Sequence, residues 1–140
     1  MVIIRSFKPS DRLAIKKFII ASAAISWPGK KIKCRYILPK IGKKGYIKIA
    51  EIERKPIAFI WFSIRNSAIG KYGYIKHIFV EKKWRRKGIA KKLIKIAEKE
   101  LKLKGIDTLR LIVTKTNRSG FVFAKKCGFK QSRIVMEKKI

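Results

Sequence analysis

The run Trp84-Arg85-Arg86-Lys87-Gly88-Ile89-Ala90-Lys91-Lys92 has what an anion site at a helix start requires. A strand-like segment, Ile78-Phe79-Val80, leads into it, and an amphipathic run follows. The first turn of a helix carries unpaired N–H groups and a partial positive charge, so this junction could hold a pyrophosphate. Gly88 would let the backbone approach the phosphates, and the small Ala90 would keep the next turn clear. In a chain with 38 Lys and Arg against 8 Asp and Glu, the same residues also read as one more basic run.

Groups able to move a proton are few. His77 is the sole imidazole, with an ordinary pKa suited to base work, although a single histidine on a strand also serves as a packing residue. Tyr72 and Tyr74 could supply a phenol or simply pack. Glu51, Glu53 and Glu81 read as ion-pair partners in so basic a setting. Cys34 and Cys127 are isolated and lack metal-ligand spacing, so no metal is expected; buried, reduced thiols are the default.

Several elements must position these residues. Val2 to Phe7 alternates as a first strand. Pro9-Ser10-Asp11 offers an N-cap to a helix with apolar positions at Ala14 or Ile15, Phe18, Ile19 and Ser22, which must end before Pro28-Gly29. Residues 30–45 form a basic, irregular segment with room for one short helix or strand. Tyr46 to Glu51 alternates as a strand, Glu53-Arg54-Lys55-Pro56 turns, and Ile57 to Arg65 is a second strand, apolar on both faces as in a sheet covered by helices on each side. A loop is expected over 66–73, and a further strand over 74–80. Gly88 to Lys104 reads as a long helix with Ala90, Leu93, Ile94, Ala97 and Leu101 inward, closed by Gly105. A strand over 108–114, a short helix over 117–126 broken by Gly128, and a last strand over 133–138 complete the chain. The expectation is an α/β fold in one domain over residues 1–140: a single mixed, mostly antiparallel sheet flanked by helices.

The spacing Arg85-x-x-Gly88-x-Ala90 after a strand ending in Val80 resembles the acetyl-CoA loop of the GNAT superfamily of N-acetyltransferases, written Arg/Gln-x-x-Gly-x-Gly/Ala. LIVTKTNRSGFVFAKKCGF resembles that family's second conserved stretch, with Asn117, Phe123, Gly128 and Phe129 at its positions. IIRSFKPSDRLAIKKFI and RKPIAFIWF are similar to its opening strand-helix and its second and third strands. The resemblance implies acetyl-CoA as cofactor. The backbone of Ile78, Phe79 and Val80 would hold the pantetheine where the fourth and fifth strands splay, Arg85, Arg86, Lys87, Gly88, Ile89 and Ala90 the pyrophosphate, and Asn117 with Phe123 the far side. Two family features are missing: where many members carry a Tyr acid this chain has Ala124, and where several carry a base it has Ile112. Neither side chain transfers a proton. Only eleven residues follow Phe129, which implies a shortened C-terminus and an acceptor side that is open or completed by a partner.

A formal charge of +30 strains a compact chain by self-repulsion and attracts polyanions. RNA, DNA and an anionic membrane surface are the candidate partners; a solubility device or a Lys-rich proteome would bring more Glu. Lys91, Lys95 and Lys99 repeat along the long helix, continued by Lys102. Lys30, Lys31, Lys33, Arg35, Lys40, Lys43 and Lys44 form a second basic region, with Tyr36 and Tyr46 able to stack on a base. No apolar run reaches membrane-span length, the longest being Ile57 to Phe62, and the start has no signal-like region, so the cytoplasm is expected. Scarce Gln and Asn hint at a thermophilic source. Two functions follow from these expectations. One is an acetyl-CoA-binding protein of this fold on RNA, most plausibly the ribosome, with transfer reduced or lost. The other is an active N-acetyltransferase acting on a protein N-terminus, a lysine or a small amine.

Overall fold

The computed structural model describes residues 1–33, 35 and 38–140; Cys34 and Tyr36 lie outside them. Among the described residues five strands and three α-helices follow one another as β1 (Ile3–Ser6), α1 (Arg12–Ser26), β2 (Tyr46–Ile52), β3 (Lys55–Ser67), β4 (Gly70–Val80), α2 (Ile89–Leu103), β5 (Leu109–Leu111) and α3 (Arg118–Lys126). The sheet order is β1-β2-β3-β4-β5. Its first three pairings are antiparallel, and β5 runs parallel to β4.

The helices lie on opposite faces because β3 is apolar on both. Ala58, Ile60 and Phe62 pack with Leu93, Ile94, Ala97 and Leu101 of α2. Phe59 and Trp61 pack with Ile15, Phe18 and Ile19 of α1. Every residue from Ile57 to Phe62 is at most 2% exposed, as a central strand between two helical layers requires. The α2 stripe follows the expected spacing with one change: Ile89, not Ala90, is the buried residue of the first turn. On α1 the stripe closes on Ala23 in place of Ser22, one position further along the helix.

Arg5 ties the first elements together. Its guanidinium donates to both Asp11 carboxylate oxygens, at 2.8 and 2.9 Å, and through Nε to Glu51 at 2.7 Å. Asp11 also accepts the Lys8 backbone N–H at 2.7 Å, so its carboxylate closes the turn that opens α1 and does not cap the helix directly. That set of donors, the Arg5 hydrogen bonds foremost, holds the Asp11 carboxyl below the usual carboxylate range although it is 3% exposed.

Three expectations on the elements are corrected. The loop placed at 66–73 is not one: β3 continues to Ser67, β4 starts at Gly70, and only Ala68 and Ile69 turn the chain. The strand at 108–114 contracts to Leu109–Leu111, because β5 meets β4 only at Gly73–Ile75. The strand at 133–138 does not form. Residues 130–140 are all exposed, and an apolar run without a neighbouring ladder gains nothing from extended pairing.

Candidate functional site

β4 carries an irregularity at the point where it parts from β5. Trp61 pairs with His77 and Phe62 with Ile75, which leaves Lys76 as an extra, unopposed residue, a β-bulge. Beyond Ile75 no described β5 residue pairs with β4, so the edge from Lys76 to Val80 lies along a gap in the ladder on that side. Ile78 and Val80 turn their side chains to the α2 core and Phe79 to the α1 core, which leaves the backbone of this stretch as its polar resource.

The chain leaves β4 through a single 3-10 turn, Lys82–Trp84, and enters α2 through Arg85–Gly88. Arg85 folds back: its Nε donates to the Val80 carbonyl at 2.8 Å, and its guanidinium lies 5.3 Å from the Phe79 ring centroid. Arg86 adopts φ 60° and Gly88 φ 79°, two left-handed residues within three positions. Only Gly88 takes that conformation without strain. No side chain caps α2, and the first helical hydrogen bond runs from Lys92 N–H to Gly88 O at 3.1 Å. The N–H groups of Ile89, Ala90 and Lys91 therefore have no acceptor within the helix. No atom beyond its chain neighbours lies within 4 Å of where a Gly88 side chain would begin, so the space beside Gly88 is open. The Ile89 side chain is core, and its contribution to the site is its N–H alone.

The Trp84 indole N–H is buried with no partner among the described residues, and Lys83 and Lys87 lie 5.3 and 6.0 Å from its ring. A left-handed glycine, open first-turn donors and exposed cations at Arg85, Arg86 and Lys87 fit a pyrophosphate group.

His77 sits in a ring stack, 5.8 Å from Trp61 and 6.5 Å from Phe59. Burial first, and then the Lys76 charge, push its pKa down to about 4, so the imidazole is neutral at physiological pH. Asn117 is the N-cap of α3: its Oδ1 accepts from Gly120 N–H at 3.0 Å and from Ser119 Oγ at 3.3 Å. A Cβ on residue 120 would lie 2.6 Å from Asn117 Nδ2, so Gly120 is what lets the asparagine fold over the helix start. Next to it, Thr116 Oγ1 donates to Ser26 O, joining this corner to the end of α1 and not to the Arg85–Gly88 loop. Phe123 packs against the α2 core. Ala124 is 6% exposed and Ile112 66% exposed, and neither brings a proton-carrying group.

Lys91, Lys95 and Lys99 line the exposed side of α2. Lys30, Lys31, Lys33, Lys40, Lys43 and Lys44 are exposed in the segment beside α1, as is Arg35. Ile41 of that segment joins the α1 core, so the two basic regions occupy opposite faces of the sheet and do not form one surface. A cavity of about 220 Å³ lies away from the strand gap, between α2, the start of β5 and Cys127–Phe129, with Glu98 and Asp107 on its wall. Cys127, half-buried and free, has its thiol pKa raised by that burial. The bulge at Lys76 and the sheet cations Arg65 and Arg110 leave no signal in the sequence, because apolar residues on both faces of β4 hide the change of alternation that a bulge makes.

The model of the acetyltransferase (GNAT) family matches residues 19–129. A curated relative, GCN5-related N-acetyltransferase 6, chloroplastic, from Arabidopsis thaliana, is 32% identical over 71 residues, 51% of this chain and 25% of that protein. This chain thus spans about a quarter of that relative's length. Among solved structures, a predicted acetyltransferase with acetyl-CoA from Clostridium acetobutylicum superposes with a TM-score of 0.79 at 21% identity, over 99% of this chain and 96% of that one. A ribosomal-protein-alanine N-acetyltransferase from Brucella melitensis superposes with a TM-score of 0.80 at 17% identity, over 100% and 99%. At these identities the structures share the fold.

Proposed function

The chain belongs to the acetyltransferase (GNAT) family, and from that premise we propose that it is an acetyl-CoA-dependent N-acetyltransferase acting on a primary amine. The observation that carries this reading is the start of α2: three open N–H donors behind a left-handed Gly88, at the end of a strand whose edge is unpaired. Acetyl-CoA would supply an activated thioester; transfer of its acetyl group would form an N–C bond, break the C–S bond and move one proton from the amine to the released sulfur. The N–H groups of Ile89, Ala90 and Lys91, with Arg85, Arg86 and Lys87, would hold the pyrophosphate. The β4 edge at Ile78, Phe79 and Val80 would take the extended arm, with Asn117 and Phe123 at its far side. No base is assigned. His77 is a weak proton acceptor, neutral and ring-stacked, and its part is to shape the α1 side of the gap.

The test is thiol release from acetyl-CoA with a panel of amines and peptides, alongside acetyl-CoA affinity of the wild type and Gly88→Glu. The glutamate carboxylate repels the phosphates, and its Cβ strains the left-handed turn that Gly88 adopts freely, so affinity is expected to fall by about a hundredfold, on the order of 3 kcal/mol. Unchanged affinity refutes the site.

A second reading is favoured by the lysine stripe of α2: attachment to RNA, the ribosome foremost, with transfer slowed by Ala124 and Ile112. Co-sedimentation with ribosomes that weakens steeply with salt, and weakens further in Lys91→Gln and Lys95→Gln, supports it. Failure to co-sediment at low salt rejects it.

A further inference from the structure

The α1 layer covers β3 as far as Trp61 and β4 at Phe79. Past those residues the same face of the sheet carries three cations, one on each of three neighbouring strands, laid on aromatic rings. Arg65 of β3 lies 3.6 Å from the Tyr74 ring centroid, Lys76 of β4 lies 4.7 Å from that of Trp61, and Arg110 of β5 lies 4.1 Å from that of Tyr72. Strand pairing sets Arg65 opposite Tyr72 and Tyr74 opposite Arg110, so the groups form one patch. Lys44 adjoins it, its carbonyl accepting the Trp61 indole N–H at 2.8 Å. Ser63 Oγ is buried beneath with no partner among the described residues.

No carboxylate belongs to this patch. Asp11 and Glu51 are held by Arg5, and Glu100 pairs with Lys48, whose neighbour Ile60 belongs to the α2 face. Glu53 is in the β2–β3 turn, Glu81 follows the far end of β4, Glu98 and Asp107 line the cavity behind α2, and Glu137 is in the exposed tail. The cations feel one another: burial first, and then the charges of Arg65, Lys40 and Lys44, lower the pKa of the Lys76 ammonium.

We propose that this patch is the acceptor surface of the transferase and that it selects an acidic peptide, whose carboxylates pair with Arg65, Lys76 and Arg110. This rests on the acetyl-transfer reading, since Lys76 is the bulge residue at the mouth of the β4–β5 gap. Three adjacent strands span about 10 Å, the length of about three extended residues, so a peptide with acids close to its N-terminus matches the spacing. RNA fits less well. One face of each ring is taken by a cation, and nucleobase stacking needs open rings.

The test is fluorescence anisotropy, without acetyl-CoA, on two labelled peptides of equal length, one with Asp and Glu behind its free N-terminus and one with Lys there. The acidic peptide is expected to bind at least about tenfold tighter, and Arg65→Gln or Arg110→Gln to weaken it by about tenfold. Lys55→Gln, the same charge change at the opposite end of β3, leaves its affinity unchanged. An equal loss in Lys55→Gln reduces the effect to net charge and overturns the proposal. So does an RNA oligonucleotide that binds more tightly than the acidic peptide and is lost in the same two variants. Acetyl-CoA affinity is measured separately: its absence overturns the transferase reading, while the peptide preference is read independently of it.

Discussion

His77 is the residue whose chemistry the fold changes most. In sequence it is a lone imidazole with an ordinary pKa; between Trp61, Phe59 and Lys76 it is held at about 4. Because the folded value lies below the unfolded one, its contribution to stability is complete above pH about 6.5 and is lost as pH falls toward 4. The loss is on the order of 3 kcal/mol, at about 1.4 kcal/mol per unit. Urea unfolding of the wild type at pH 7 and pH 4.5 should show most of that difference, and His77→Phe, which keeps a ring in the stack, should abolish it. A pH dependence that survives the substitution refutes the assignment. Below this window the Asp11 carboxylate takes over, as acid protonates it and releases Arg5. The helix start at Asn117 and the turn at Gly88 were legible in the sequence because each is made by its own backbone segment. The state of His77 was not, since it depends on a bulge and two rings from another strand.

At the level of elements, the long α2 stripe and the β2–β3 hairpin could be read from periodicity alone, because each buries a continuous face. The Asn66–Gly73 segment misled because its polar residues look like a loop, whereas edge-exposed strand ends tolerate them wherever a ladder is already running. The Arg133–Lys138 segment misled in the opposite sense, having strand-like residues but no ladder. Gly73 shows what sequence could not show. A Cβ there would lie 2.5 Å from Leu101 Cδ1 and 3.1 Å from Leu109 Cδ1, so its missing side chain sets how closely α2 approaches the sheet. Gly73→Ala is expected to cost about 1–3 kcal/mol by overpacking, and Leu101→Ala about 2–5 kcal/mol by leaving a cavity. Together they should cost less than their sum by at least about 1 kcal/mol, the added methyl occupying part of the vacated space. Additive denaturation midpoints would reject that contact.

Across the whole molecule, a net charge of +30 on 140 residues is carried mainly by exposed side chains, and three ion pairs engage three of the eight acids among the described residues. Raising NaCl from about 0.1 M to 1 M shortens the Debye length from about 10 Å to about 3 Å and screens that repulsion. The melting temperature is therefore expected to rise by several degrees in a calorimetric series; a flat or falling trend would show that self-repulsion does not limit stability. Among the described residues no helix is long and apolar enough to cross a membrane. The Arg5 fork gives this imbalance a consequence for sequence change. Replacing an exposed lysine with a neutral residue removes repulsion, whereas replacing Asp11 or Glu51 strips one of the two acids that a partly buried guanidinium is hydrogen-bonded to and leaves the other to hold it alone. The tolerance of this chain to mutation is lopsided: the two acids that hold Arg5 are intolerant positions, and the abundant basic positions are free to drift wherever no ligand holds them.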